Sequence, residues 1–161
     1  MCYNQHMDRF PDTPRRLFLL IFISSLSSLA YELTLIRIFS LTLWYHFAFM
    51  VISIAMLGIG ASGTLLSVVP ALKDLRRIPA YGLALAIGIP FSYLLANEVP
   101  FDPVRLSWDR LQVLYIGVYY LVFAVPFLAF GLIVSTAFSA LKEDPGLVYA
   151  SDLFGAGAGS L

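Results

Sequence analysis

The chain has 161 residues, of which 60% are hydrophobic and only 12% charged, and its mean hydropathy is +0.84. A soluble domain carries about 25% charged residues to cover its surface, so this composition excludes an ordinary soluble protein and predicts membrane insertion. Ten basic and ten acidic residues cancel, which leaves no electrostatic basis for binding nucleic acid. Cys2 is the only cysteine, which excludes an intramolecular disulfide and a cysteine-cluster metal site, and no histidine–glutamate spacing suggests zinc.

Four apolar segments are long enough to cross a bilayer, whose hydrocarbon core requires about 20 helical residues. They cover residues 17–39, 44–69, 78–96 and 111–141. A fifth segment begins near Val148 and reaches the last residue, Leu161, so we expect it to be the first part of another span. The predicted fold is an all-α, polytopic bundle with four full spans and a truncated fifth. A tail at 1–16 precedes it, and we expect a soluble domain to follow it in a longer protein.

The charges of the connecting segments predict the orientation of the bundle. In a four-span topology the tail, the second connection and the segment after the fourth span share one side. These segments carry seven basic residues, namely Arg9, Arg15, Arg16, Lys73, Arg76, Arg77 and Lys142. The loop at 97–110, on the opposite side, has two arginines among three acids. By the positive-inside rule, the amino terminus is predicted to be cytoplasmic.

The start of the first span has a competing interpretation as a cleaved secretory signal. Arg15 and Arg16 precede the apolar run LFLLIFISSL, and SSLA resembles a cleavage site of small residues. The apolar pattern continues beyond Ala30 into LTLIRIFSLTL, however, where a secreted protein would become polar. We therefore expect this segment to remain as a membrane helix.

Two charged residues, Glu32 and Arg37, interrupt the first span. A charge near the bilayer centre costs at least about 2.5–3.5 kcal/mol, and such residues typically mark a functional site. On a helix the two are separated by about 140° and roughly 7–8 Å, so they are not a favoured i,i+4 pair. We expect Glu32 to face a cavity or another helix, with a structural hydrogen bond as the alternative. Arg37 either does the same or extends to the outer membrane surface.

Asp152 is the third candidate residue and lies about one turn into the fifth segment, counted from its cytoplasmic end. A carboxylate in that position is stabilised by the helix dipole, which is the purely structural interpretation. The functional interpretation is a site for a cation. Glu32 is predicted to lie nearer the outer face, so we expect no direct contact between the two acids.

The sequence GIGASG at 58–63 matches the glycine pattern of dinucleotide-binding loops. That motif requires a strand before it and a helix opening at it, whereas this one lies inside the second apolar span. Gly58 and Ser62 are four residues apart, a spacing of small residues that lets helix backbones approach closely. The pattern therefore predicts helix packing, and the same holds for Gly155 and Gly159 in the fifth segment.

Four motifs carry a family likeness, namely YELTLIR at 31–37, LGIGASG at 57–63, PFLAFG at 126–131 and VYASDLFGAGAGSL at 148–161. Together they resemble bacterial membrane proteins related to spermidine synthase. The resemblance implies a multi-helix region of the bacterial inner membrane that precedes a cytoplasmic, Rossmann-like domain similar to polyamine aminopropyltransferases. Such enzymes bind decarboxylated S-adenosylmethionine and a polyamine in the soluble domain. The resemblance therefore assigns no catalytic, cofactor or metal residue to this chain, and no chemical role to Glu32, Arg37 or Asp152.

Three functional hypotheses follow. The first is a membrane region that anchors an aminopropyltransferase-like domain, in which Glu32 and Asp152 are attractive sites for a polyamine substrate or product. The second is part of a secondary transporter resembling the major facilitator class, although no internal repeat is evident within four spans. The third is a purely structural anchor. The expected partners are the lipid bilayer and, in the first two hypotheses, a small-molecule ligand.

Overall fold

The computed structural model describes residues 13–42, 46–98, 108, 110–141 and 145–161. Within these ranges the fold is all-helical and contains no strand. The α-helices are α1 (Thr13–Thr42), α2 (His46–Val68), α3 (Ile78–Glu98), α4 (Arg110–Ala140) and α5 (Pro145–Gly159). Two 3₁₀ turns, Pro70–Lys73 and Leu75–Arg77, connect α2 to α3.

Helices α1 to α4 are each long and apolar enough to cross a membrane, which confirms the predicted fold class. Helix α5 has 15 residues, so it extends only about 22 Å, less than the roughly 30 Å of a hydrocarbon core. Helix α1 begins at Thr13, and the last four residues of the predicted tail therefore belong to it. The rest of the tail lies outside the described residues, as does the predicted start of the second span at Trp44.

Helices α1 and α5 pack against each other in parallel. Gly155 lies against the backbone of Phe22, and Gly159, four residues later, lies against the backbone of Leu26. A Cβ atom at either glycine would overlap the facing backbone carbonyl oxygen. The packing predicted for these two glycines is therefore observed, and it brings the backbones of α1 and α5 into direct contact.

Helices α2 and α4 also pack in parallel. A Cβ atom at Gly58 would stand 2.7 Å from the Cβ of Phe127, and one turn further along Ser62 packs against Gly131. The GIGASG segment thus lies within a continuous helix and contributes two small residues to a helix contact. The packing interpretation of this segment agrees with the structure.

Helix α4 is the central element of the bundle. In an apolar stretch of 18 residues of α4, 61% is buried, whereas the corresponding share for the third span, which includes α3, is 17%. The Tyr119 hydroxyl donates a hydrogen bond to the Ala96 carbonyl oxygen over 2.9 Å, and about two turns further along α4 Pro126 contacts Gly88. The later residue of α4 contacts the earlier residue of α3, so these two helices are antiparallel.

The described residues form two hydrophobic clusters within the bundle, which we call the upper and the lower cluster. The upper cluster contains Tyr31, Leu35, Phe39, Val51, Ile54, Ala55, Phe123, Ala124 and Phe127. The lower cluster contains Ile21, Ile78, Leu85, Ala129, Ile133, Ala137 and Val148. In the upper cluster the ring centroids of Tyr31 and Phe127 are 5.5 Å apart, and those of Phe39 and Phe123 are 5.4 Å apart, so α1 and α4 are antiparallel. Helices α1, α3 and α5 therefore run in one direction, and α2 and α4 in the other.

Candidate polar site between α1 and α5

Helix α1 carries buried serines, one of which contacts α5. Three serines on α1, Ser24, Ser25 and Ser28, are buried. The Ser25 hydroxyl donates a hydrogen bond to the backbone carbonyl oxygen of Asp152 over 2.8 Å, and that of Ser24 donates to the Leu20 carbonyl oxygen over 2.7 Å. The glycine contacts described above bring the backbones close enough for the Ser25 bond. This interface thus places one buried hydroxyl group, that of Ser25, next to the backbone of an acidic residue of α5.

The carboxylate of Asp152 has an unsatisfied oxygen. Its Oδ1 atom is buried and has no hydrogen-bond partner among the described residues. A buried polar atom without a partner costs about 1–3 kcal/mol, and more when it is charged. Of the three candidates, Asp152 is the one with a buried side-chain atom that has no hydrogen-bond partner in the part of the chain that the structure describes.

The position of Asp152 in its helix differs from the sequence-based expectation. Helix α5 begins at Pro145, so Asp152 is two turns from the helix start rather than one. Stabilisation of a carboxylate by the helix dipole falls off within the first turn. The expected dipole stabilisation of Asp152 is therefore weaker than predicted, because the helix extends three residues further towards its amino end than the apolar pattern indicated.

Glu32 lies on the same face of α1 as Ser25 but is separated from the α5 contacts. It is half-buried and stands seven residues, about 10.5 Å, beyond Ser25 along the helix. Within the described residues its carboxylate has no hydrogen bond or ion pair. Helix α5 ends at Gly159, which is level with Leu26. The structure thus separates Glu32 from Asp152, in agreement with the expectation that the two acids do not meet.

Arg37 is exposed on α1, near its carboxyl end. No ion pair joins it to Glu32 in the part of the chain that the structure describes. Its exposure is compatible with a side chain that extends to the membrane surface, which stays a prediction. The structure therefore does not bring the three candidate residues together into one site.

A buried hydrogen bond between α1 and α3 escaped the sequence analysis. The Tyr31 hydroxyl and Ser92 Oγ are 2.5 Å apart, and Ser92 Oγ is also 2.8 Å from the Ile89 carbonyl oxygen. Because Ser92 donates to that carbonyl, Tyr31 donates to Ser92. The only signal in the sequence was the tyrosine itself, since a hydroxyl within an apolar helix requires a partner.

Thr136 was also missed. It is fully buried on α4, and its Oγ1 atom has no hydrogen-bond partner among the described residues. It is flanked in sequence by Ile133 and Ala137 of the lower cluster. Nothing in the sequence distinguished this threonine from the other hydroxyl residues of the spans.

The described residues offer no metal centre. No group of three histidine, cysteine, aspartate or glutamate side chains that could hold an ion occurs among them. A dinucleotide-binding loop would also require a strand before GIGASG, whereas in the described residues this segment lies inside helix α2.

Comparisons with protein families, with curated proteins and with solved structures found no match. The resemblance to spermidine synthase-related membrane proteins therefore stays a prediction from the motifs.

Proposed function

We propose that this chain is the membrane-embedded region of a spermidine synthase-like protein of the bacterial inner membrane, where it anchors a cytoplasmic aminopropyltransferase-like domain. Four helices long enough to span a bilayer support the anchoring role. Residues of two motifs that carry the family resemblance also contact one another. Gly58 packs against Phe127, and Ser62 packs against Gly131. These motifs are thus used for helix packing, which is what a structural membrane region requires.

Sequencing the gene on the 3′ side of the Leu161 codon tests the anchoring role. We expect an in-frame soluble domain with a strand, a glycine-rich turn and acidic residues. Twelve helices with a repeated pattern and no soluble domain would contradict the proposal and favour the transporter hypothesis.

A second proposed role is binding of a polyamine within the bundle. It depends on one observation, the buried Oδ1 of Asp152, which has no hydrogen-bond partner among the described residues. An ammonium group would supply the donor that this oxygen lacks there. Glu32 provides a second carboxylate without a bonding partner in the described structure. The Ser25 hydroxyl donates its hydrogen to the Asp152 carbonyl, so its oxygen is available to accept a further ammonium hydrogen.

Calorimetry of spermidine binding to the purified chain tests this role. We expect Asp152→Asn with Glu32→Gln to weaken binding by at least about tenfold, because a lost charged hydrogen bond costs about 1.5–3 kcal/mol. Glu98→Gln is the matched control, since Glu98 is an exposed acid at the end of α3. Unchanged affinity in the double variant, or an equal loss in the control, would contradict polyamine binding at these residues.

A further inference from the structure

One end of the bundle presents a group of exposed cations from two distant parts of the sequence. Arg15 and Arg16 are in the first turn of α1, and the 3₁₀ turns between α2 and α3 supply Lys73, Arg76 and Arg77, all five of which are exposed. Because α2 is antiparallel to α1, its carboxyl end and the turns that follow lie at the same end as the start of α1. We call these five residues the basic rim.

Packing holds both parts of the basic rim in place. Leu17 and Phe18 of α1 and Leu75 of the second 3₁₀ turn all pack against the lower cluster. The Tyr81 hydroxyl also donates a hydrogen bond to the Leu72 carbonyl oxygen over 2.9 Å, which ties the turns to α3. The cations are therefore attached to a folded surface rather than to a long loop.

The basic rim carries a clear excess of positive charge. Asp74 is the one acid within the turns, and its Oδ1 accepts a hydrogen bond from the Arg76 backbone N–H over 3.0 Å. No ion pair involves the five cations in the part of the chain that the structure describes. The sequence segments adjoining this end add Arg9, Lys142, Asp8, Asp12, Glu143 and Asp144. The total is thus seven cations against five acids, whereas the loop at 97–110 has two cations and three acids.

Exposed apolar side chains adjoin the cations. Val68 and Val69 precede the turns and are 72% and 40% exposed, and Leu19, one turn after Arg15, is 61% exposed. A phospholipid has matching groups in the same spatial order, since its charged phosphate is followed by apolar acyl chains. A free phosphate ion has no group that would contact these apolar side chains.

We propose that the basic rim binds the headgroups of anionic phospholipids, with the acyl chains against the neighbouring apolar surface. Clusters of four to eight lysines and arginines at the ends of membrane helices attract such lipids. The proposal requires that the bundle lies in a bilayer, but it is independent of any likeness to spermidine synthase and of polyamine binding.

Native mass spectrometry of the purified chain, reconstituted in equal amounts of phosphatidylglycerol and phosphatidylcholine, tests the proposal. We expect phosphatidylglycerol to be the lipid that remains bound preferentially. Arg76→Gln with Arg77→Gln should lower the ratio of bound phosphatidylglycerol to phosphatidylcholine by at least about threefold, because each cation near the surface contributes attraction for anionic lipid. Adding Arg15→Gln and Arg16→Gln should lower the ratio further.

Arg110→Gln is the matched control, because Arg110 is an exposed cation at the start of α4, at the other end of the bundle. Retained phosphatidylcholine and circular dichroism show separately that each variant stays folded in lipid. An unchanged lipid ratio in the quadruple variant, or an equal decrease with Arg110→Gln, would overturn the proposal. So would full competition by glycerol 3-phosphate, which has the phosphate but no acyl chains.

Discussion

At the scale of single residues, the bundle contains both satisfied and unsatisfied buried polar groups. Tyr31 donates to Ser92, which in turn donates to the Ile89 carbonyl oxygen, so each hydroxyl hydrogen has an acceptor. Thr136 Oγ1 and Asp152 Oδ1 have no partner among the described residues. Satisfied groups add to the specificity of helix packing, whereas unsatisfied ones are the places where a ligand or water gains most by binding.

The Tyr31–Ser92 bond leads to a prediction about stability. Tyr31→Phe should lower the free energy of unfolding by about 0.6–1.5 kcal/mol, because it removes a buried hydrogen bond between helices while keeping the ring on Phe127. The measurement is unfolding in mixed micelles, monitored by circular dichroism. Tyr93→Phe is the control, since Tyr93 lies on α3 with 48% of its surface exposed.

A double-mutant cycle with Ser92→Ala identifies the bond itself. If Tyr31 and Ser92 act through it, the cost of Tyr31→Phe should largely disappear when Ser92 is already alanine. Equal costs in both backgrounds would show that Tyr31 contributes through packing alone.

At the scale of helices, direct contact between backbones defines two tight pairs, α1 with α5 and α2 with α4. The two pairs use glycine in the same way, but only some glycines take part. Gly155, Gly159 and Gly58 face a neighbouring helix, whereas at Gly157 and Gly60 no atom of another described helix lies within 4 Å of where a Cβ would stand. Helices α5 and α2 thus each carry an internal comparison between a contact glycine and a free one.

The two kinds of glycine in helix α5 lead to a prediction about stability. Gly155→Ala should lower the free energy of unfolding by about 1–3 kcal/mol, because its Cβ would overlap the Phe22 carbonyl and force α5 away from α1. Gly157→Ala, two positions away, should leave stability unchanged or raise it by up to about 1 kcal/mol, since alanine is the better helix former. The two variants are compared by unfolding in micelles, and equal effects would contradict the contact.

The fold class could be predicted from the sequence, but the partners of individual residues could not. The backbone N–H and C=O groups of a membrane span must form hydrogen bonds within the span, so a long apolar segment is expected to be a helix. The lengths of the apolar segments therefore indicate four spans. The packing of Gly58 and Ser62 followed from their spacing. The contact of Tyr31 with Ser92 did not, because the two are 61 positions apart and periodicity describes only the faces of one helix. Asp152 was misplaced by a turn because Pro145, a favourable first helical residue, extends α5 beyond its apolar part.

At the scale of the whole molecule, the alternating direction of the helices gives the bundle two chemically different ends. The end with the start of α1 carries the basic rim, and the other end carries Trp108, which is 79% exposed, and Arg110. In a bilayer these ends face different compartments. The positive-inside rule predicts that the basic rim faces the cytoplasm.

Cysteine labelling of intact cells checks this orientation. Cys2 is the only cysteine of the chain, so a membrane-impermeant maleimide should label it only after the cells are lysed. In a Cys2→Ser background, Trp108→Cys should instead be labelled in intact cells, because it lies at the other end of the bundle. Labelling of Cys2 without lysis, together with protection of the cysteine at position 108, would reverse the predicted topology.

The division into two glycine-mediated pairs has a mechanical consequence. Helices whose backbones touch cannot slide past each other without a clash, whereas helices that meet through side chains can shift by small rearrangements of rotamers. We therefore expect each pair to behave as one stiff rod, and the two rods meet where aromatic rings of α1 pack on aromatic rings of α4 in the upper cluster. We therefore expect a large-scale motion of the bundle to be shear between the two pairs, and the Tyr31–Phe127 ring contact lies where they meet.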